Sequence, residues 1–172
     1  DFDAKGNFYY TYSRTGKPSA LYTSSATGTK ERQLTFLNKE LEQEVDIRPS
    51  DTMWVKGAKG DYVEVFIVKP HGFEAGKKYP LIVNVHGGPQ TQWQDNFRGD
   101  WQVYPGAGYV VAYPNPHGST GRGQAFCRAI SGDFGGAPYE DVMKVTDALA
   151  KLNYVDSTRM GAMGWSYGGY FM

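Results

Sequence analysis

The pentapeptide Gly164-Trp165-Ser166-Tyr167-Gly168 constrains the fold of this chain more than any other stretch. Its spacing, G-x-S-x-G, is typical of a sharp strand-to-helix turn that holds a serine in a strained backbone conformation. Bulky side chains two residues before and after the serine would collide with neighbouring backbone, so both positions favour glycine. The pattern therefore predicts a strand that ends at Gly164 and a helix that begins just after Ser166.

From residue 61 onward, apolar strands alternate with a helix. The expected strands cover residues 62–68, 81–86, 109–113 and 159–164, and the expected helix covers residues 137–152. The second strand is apolar almost throughout, which is typical of a sheet that is covered on both faces. Strand, helix and strand joined by short links predict right-handed parallel crossovers and an α/β sheet.

The first 60 residues lack this alternation of apolar strands and a helix. Short aromatic and β-branched runs separated by turns predict three strands in a meander within residues 1–35, like the end of a β-propeller. A lone meander buries too little apolar surface to be stable alone, and an N-terminal hairpin packed on the main domain is an alternative. Residues 36–60 are expected to be a polar, solvated connector, in which Pro49 interrupts any helix.

Composition excludes several classes of partner. Eighteen basic and eighteen acidic residues cancel, so we expect no nucleic acid and no membrane surface as partner. No apolar run approaches the roughly 20 residues that span a bilayer. Cys127 is the single cysteine, which favours a reducing compartment such as the cytoplasm, although a periplasmic location fits as well. The chain shows no signal peptide and no initiator methionine, so we expect the true start upstream.

A second glycine-rich element follows the most apolar strand. In Val85-His86-Gly87-Gly88-Pro89 the glycines allow a backbone N–H to turn towards a bound substrate. In an α/β-hydrolase fold this loop supplies one donor of the oxyanion hole, and the residue after the nucleophile supplies the other. We therefore expect the backbone N–H groups of Gly88 and Tyr167 to be the two donors.

Four ordered motifs together resemble the prolyl oligopeptidase family of serine peptidases, most closely its acylaminoacyl-peptidase and dipeptidyl-peptidase branch. The motifs are His-Gly-Gly-Pro at residues 86–89, Asn-Pro-His-Gly-Ser-Thr-Gly at 115–121, Ser-Gly-Asp-Phe-Gly-Gly at 131–136 and Gly-Trp-Ser-Tyr-Gly-Gly-Tyr at 164–170. The resemblance implies that residues 1–35 are the last strands of a β-propeller. It implies that residues 61–172 are the N-terminal part of an α/β-hydrolase catalytic domain, with Ser166 as the nucleophile that cleaves short peptides.

The resemblance also exposes departures. The family usually has arginine at the position of His117 and commonly an aromatic residue at that of Arg122, so we expect altered local pairing there. Its catalytic acid and histidine follow the serine. We therefore expect both outside these 172 residues, which alone should have little activity because loss of a triad member leaves only residual catalysis.

The three histidines of the chain all precede Ser166. His86 is the tempting base, but a backbone that brings Gly88 to the substrate should not bring that imidazole to the serine. His71 is expected in an exposed turn. The preceding aspartates are better explained by helix capping and solvated faces than by a triad, and they are Asp133, Asp141, Asp147 and Asp156.

No cofactor or metal is expected, because no Cys/His cluster has ligand spacing and no lysine-containing phosphate loop occurs. The glycine-rich residues 118–123 are expected to form a turn near the site. Two functional alternatives stay open: a carboxylesterase or lipase, and a non-catalytic remnant or interaction module. Pro89 favours the peptidase, since esterases more often have a third glycine there. The expected partners are a short peptide, the rest of the same polypeptide, or a second copy of the chain.

Overall fold

A computed structural model describes all residues from 1 to 172 and contains two β-sheets. The smaller sheet is an antiparallel meander of β1 (Phe8–Arg14), β2 (Lys17–Ser24) and β3 (Arg32–Gln33). Three strands in this order are what the N-terminal sequence predicts. The turns between them contain Gly16 and Gly28.

The larger sheet has five strands in the order β4-β5-β7-β6-β8. They are β4 (Ser50–Lys56), β5 (Tyr62–Val68), β6 (Tyr79–Val85), β7 (Val110–Asn115) and β8 (Val155–Gly164). Strand β6 pairs in parallel with β7 on one side and β8 on the other, which confirms the predicted parallel crossovers. Strands β5 and β4 extend the sheet in antiparallel orientation.

The expected connector at residues 36–60 must be corrected, because it contains β4, a full member of the larger sheet. Of the seven residues of β4, only Val55 is buried, so the strand lacks the apolar alternation that would have revealed it. The acidic stretch forms a short helix, α1 (Lys39–Glu44), with no buried residue. Its predicted solvation is confirmed.

Three further α-helices connect the strands. Helix α4 (Gly136–Leu149) matches the predicted amphipathic helix, and the Asp133 carboxylate accepts a hydrogen bond from the Gly136 N–H at its start. Helices α2 (Asp100–Gly106) and α3 (Gln124–Arg128) were not expected from the sequence. The residues after Ser166 form a 3₁₀ turn, Gly168–Phe171, rather than an α-helix. None of the helices has the length and apolar character needed to cross a bilayer.

The two faces of the larger sheet carry separate apolar clusters. One lies beneath α4, where Val142, Val145 and Leu149 pack against the valines of β5 and β6. The other lies beneath α2, where the ring of Trp101 stacks on that of Tyr113 with centroids 3.7 Å apart. Because both faces are covered, β7 is buried along its whole length.

A polar cluster joins the two sheets at Asp95. Its Oδ1 accepts hydrogen bonds from the Thr15 N–H at 2.9 Å, the Thr15 hydroxyl at 2.8 Å and the Ser50 hydroxyl at 3.3 Å. Thr15 is fully buried although it lies in the turn between β1 and β2. The Gln102 amide of α2 also donates to the Thr15 carbonyl at 3.2 Å. The turn of the small sheet is therefore fixed to the loop between β6 and α2.

Replacement of the buried tryptophan tests the packing beneath α2. Trp101→Ala should lower the free energy of unfolding by about 3–5 kcal/mol, because it removes a large side chain from a fully enclosed place. Val103→Ala on the same helix is the control, since Val103 is 63% exposed and its loss should cost less than about 0.5 kcal/mol. Chemical denaturation of both variants measures the difference, and equal losses would contradict this account of the core.

Candidate active site

The site lies where β6 and β8 end. The two strands are parallel neighbours, and their last residues, Val85 and Gly164, pair with each other. The segments that follow them, 86–91 and 165–168, therefore leave the sheet side by side at its carboxyl edge. This edge is where open α/β sheets place their ligands.

Ser166 occupies a strained turn. Its φ is +55°, in the left-handed region that non-glycine residues rarely adopt. A Cβ at Gly164 would lie 2.4 Å from the carbonyl carbon of Gly168, and one at Gly168 would lie 2.0 Å from the Val85 carbonyl oxygen. Both flanking glycines are thus required sterically, as the sequence pattern predicts. The turn presses against the end of β6 and leaves Ser166 exposed.

The glycines after β6 lie against this turn. A Cβ at Gly87 would lie 3.2 Å from that of Ser166, so the two backbones are in contact. Gly88 has a φ of +121° and precedes a cis peptide bond to Pro89. Neither the Gly88 N–H nor the Tyr167 N–H donates a backbone hydrogen bond within the chain. Of the two donors expected for an oxyanion hole, Tyr167 directly follows Ser166 and Gly88 directly follows the glycine that contacts it, and neither N–H is bonded to a backbone carbonyl of the chain.

The side chain of Tyr167 anchors the turn. It is buried, its hydroxyl donates to the Phe134 carbonyl, and its ring meets that of Phe134 edge-on with centroids 5.2 Å apart. Burial, with a smaller effect of nearby Tyr170, raises the pKa of Tyr167 to about 12. The phenol therefore stays protonated at neutral pH and remains a hydrogen-bond donor.

His86 makes no hydrogen bond to Ser166. Its Nδ1 lies 2.7 Å from the Gly87 carbonyl oxygen, and its Nε2 lies 2.9 Å from the Ser119 Oγ. Burial lowers the pKa of the imidazole, and the hydrogen bond to Gly87 only partly opposes that effect. A neutral His86 thus connects the loop after β6 to the loop after β7.

The other two histidines are also engaged elsewhere. His71 is exposed, and its Nδ1 lies 2.7 Å from Asp46 Oδ2. His117 is fully buried, with Nδ1 2.6 Å from Asp141 Oδ2 and Nε2 3.2 Å from Asp61 Oδ2. None of the three histidines is hydrogen-bonded to Ser166.

The expectation for Asp141 was wrong, because this aspartate is neither a cap nor solvated but fully buried. Its position in α4 is nevertheless visible in the sequence. Asp141 lies four residues before Val145 and next to Val142, on the apolar stripe that faces the sheet. A charged residue on such a stripe must find a partner, and here the partner is His117.

The two residues that depart from the family pattern, His117 and Arg122, both pack on the ring of Phe126. The imidazole of His117 stacks on Phe126 with centroids 4.2 Å apart. The guanidinium of Arg122 lies 5.4 Å from the centre of the same ring and 4.6 Å from that of Trp54. The altered local pairing expected at these two positions is therefore a stack of aromatic rings and a cation.

Of two cavities in the protein, one borders the Ser166 site and the other does not. The larger, of about 600 Å³, lies between α2 and residues 41–48 and includes none of the residues around Ser166. The smaller, of about 250 Å³, is lined by Gly88, Pro89, Gln90, Ile130 and Phe134. The smaller cavity is the one that borders the site, because Gly88 forms part of its wall.

Known structures and a family profile identify the class of protein to which this chain belongs. The chain superimposes on the acylaminoacyl peptidase of Pyrococcus horikoshii with a TM-score of 0.86 and 27% identity, over 99% of this chain and 27% of that one. The fold is the N-terminal part of an α/β-hydrolase sheet, preceded by propeller-like strands. A sequence profile of the prolyl oligopeptidase family matches residues 81–172. The chain belongs to that family of serine peptidases.

Proteins that are similar in sequence are also named as peptidases. A dipeptidyl-peptidase 5 of Arthroderma otae is 41% identical over 159 residues, which are 90% of this chain and 22% of that protein. An uncharacterised peptidase of Bacillus subtilis is 36% identical over 165 residues, covering 95% of this chain and 25% of that protein. The chain thus spans about a quarter of the length of the relatives that it matches.

Two neighbouring glycines test the steric account of the turn. Gly168→Ala should destabilise the protein by about 1–3 kcal/mol, because its Cβ would overlap the Val85 carbonyl at the end of β6. Gly169→Ala is the matched control, since the nearest atom to its Cβ would be the Gly164 oxygen at 3.4 Å. Thermal unfolding of both variants gives the comparison. Equal behaviour would show that the turn does not press on β6.

The buried imidazole of His86 predicts loss of stability in acid. Its pKa is lowered from 6.5, so the unfolded chain binds more protons than the folded one as the pH falls through 6.5. The free energy of unfolding should therefore decrease from pH 7.5 to pH 5.5, and His86→Gln should reduce that decrease. Denaturant titrations at the two pH values measure it. An unchanged pH dependence in the variant would refute the assignment.

Proposed function

We propose that the protein that carries this chain hydrolyses peptides through an acyl-enzyme on Ser166. One observation carries the proposal: Ser166 is held at positive φ directly after β8, against the glycines that follow β6. Strain of this kind at an exposed serine is otherwise costly, on the order of 1–3 kcal/mol, and is found where a nucleophile must project from a sheet.

The geometry supports the roles expected for the two free backbone donors. When Ser166 Oγ attacks the scissile carbonyl, the oxygen of that carbonyl becomes an anion. We propose that the N–H groups of Gly88 and Tyr167 stabilise this anion, since Tyr167 adjoins Ser166, Gly88 adjoins the glycine that contacts it, and neither N–H donates to a backbone carbonyl. Removal of one such donor typically costs about 3 kcal/mol of transition-state stabilisation.

The serine proton requires a base. The three histidines of the described chain are hydrogen-bonded to Asp46, to Ser119 and to Asp141 rather than to Ser166. We propose that the base is a histidine outside these 172 residues, oriented by an aspartate that also lies outside them. The triad would then follow the α/β-hydrolase order, with the serine first.

Short peptides are the proposed substrates. The names of the similar proteins, dipeptidyl-peptidase and acylaminoacyl peptidase, describe enzymes that remove short or blocked N-terminal units. An esterase activity is the second candidate, because an oxyanion hole of this kind serves both acyl groups. Pro89 after the two glycines favours the peptidase.

The proposed division of the chain follows its two sheets. We propose that residues 1–35 are the last strands of a β-propeller and that residues 61–172 belong to the catalytic domain. The strand order supports the division, because no strand of the small sheet pairs with the larger one. Strand β4 pairs with β5 and so extends the catalytic unit to residue 50.

Active-site labelling tests the nucleophile. A fluorophosphonate probe should label the protein that carries this chain, and Ser166→Ala should abolish both labelling and peptide hydrolysis. Ser131→Ala, at an exposed serine of the 131–136 loop, is the control and should label normally. A folded wild-type protein that resists the probe would favour the non-catalytic remnant. Ester substrates can be compared with dipeptidyl and acyl-aminoacyl amide substrates that have the same leaving group. Faster turnover of the esters would favour the esterase.

A further inference from the structure

We propose that His117 and Asp141 form a positioning pair that holds the Gly88 donor in place, although neither residue touches the reacting atoms. The inference rests on the proposed function, since it concerns the oxyanion hole of that reaction. It is carried by a continuous set of contacts from the interior of α4 to the loop after β6.

The first part of this set is the buried carboxylate of Asp141. Its Oδ1 accepts the Ala58 N–H at 2.7 Å, and its Oδ2 accepts the N–H and the Nδ1–H of His117 at 2.7 and 2.6 Å. Gly57 leaves room for this arrangement, since a Cβ there would lie 2.2 Å from Asp141 Oδ1. Three short hydrogen bonds compensate a charge that would otherwise be expensive to bury.

The second part is the imidazole of His117. Its Nε2 faces Asp61 Oδ2 at 3.2 Å, so a carboxylate lies at each ring nitrogen. Phe126 covers the ring, and its own carbonyl accepts the Gly118 N–H at 3.1 Å. The start of the loop after β7 is thereby fixed on three sides: by α4, by the turn at residue 61 and by α3.

The third part joins this loop to the one that carries Gly88. The Ser119 Oγ lies 2.9 Å from His86 Nε2, and the Thr120 N–H donates to the Thr91 carbonyl at 2.9 Å. A Cβ at Gly118 would lie 3.3 Å from that of Pro89. Contacts thus reach residues 86, 89 and 91, on both sides of Gly88.

Residues 86–91 include no helix or strand of their own. Besides the contact of Gly87 with the Ser166 turn, their position is set by the loop after β7, which is held in turn by His117 and Asp141. A displacement of about 1 Å in catalytic geometry can cost on the order of 100-fold in rate. Loss of the His117 imidazole also leaves the buried Asp141 carboxylate without one of its three hydrogen-bond donors. The proposed consequence is a selective loss of transition-state stabilisation.

The test compares four variants of the protein that carries the full chain. Asp141→Asn and His117→Ala should lower kcat about 10- to 100-fold and slow fluorophosphonate labelling similarly, with KM changed less than about twofold, because the Gly88 donor acts mainly in the transition state. Asp147→Asn, an exposed aspartate of the same helix, is the matched control and should behave as wild type. His117→Arg, which again places N–H donors between the two carboxylates, should recover much of the kcat lost in His117→Ala.

A double-mutant cycle distinguishes positioning from general damage to the fold. If His117 acts through the loop after β7, its effect on kcat should depend on Ser119, and His117→Ala with Ser119→Ala should be clearly less than additive. Additive effects, or a folded Asp141→Asn variant with wild-type kcat, would overturn the proposal. If Asp141→Asn does not fold, the double-mutant cycle of His117 and Ser119 alone decides whether the proposal holds. A wild-type protein that fails to label would instead refute the proposed function, so the two failures are distinct.

Discussion

The parallel pairing of Val85 with Gly164 is the constraint on which the site depends. It brings two strand ends, which are about 80 residues apart in sequence, to adjacent positions, and it leaves no room for a side chain at Gly168. The turn that follows β8 must therefore be tight, and the positive φ of Ser166 is the result. The strain of the serine and the contact with the Gly87 backbone have one cause, since both follow from the register of β6 and β8.

Much of this arrangement could be predicted from the sequence because backbone sterics leave few choices. Two glycines around a serine, placed after a short strand, specify the turn almost completely. The apolar runs of β6 and β7 likewise identify strands that are covered on both faces. The meander at the N-terminus was predictable from its turns and its aromatic residues. These features are local, and their physical causes lie within a few residues.

The features that escaped prediction depend on distant partners. Strand β4 is mostly exposed and its apolar residues are consecutive rather than alternating, so it is identified as a strand only by its full antiparallel ladder with β5. Helices α2 and α3 have seven and five residues, which is too short for a clear apolar period. The role of Asp141 follows from His117, a residue 24 positions earlier. The aspartate on the apolar stripe of α4 indicates a buried partner, but nothing near it in the sequence identifies that partner as His117.

The polar cluster at Asp95 has a mechanical consequence. The Thr15 turn of the small sheet is hydrogen-bonded to a residue in the same β6–α2 loop as Gly88, only seven positions further on. Between them, Trp93 is held to Asn115 at the end of β7 by a pair of backbone-to-amide hydrogen bonds. A rotation of the small sheet would therefore act on this loop through Asp95 and on β4 through Ser50, because the Thr15 turn is hydrogen-bonded to both. A few hydrogen bonds thus link the N-terminal strands to the backbone that contacts Ser166.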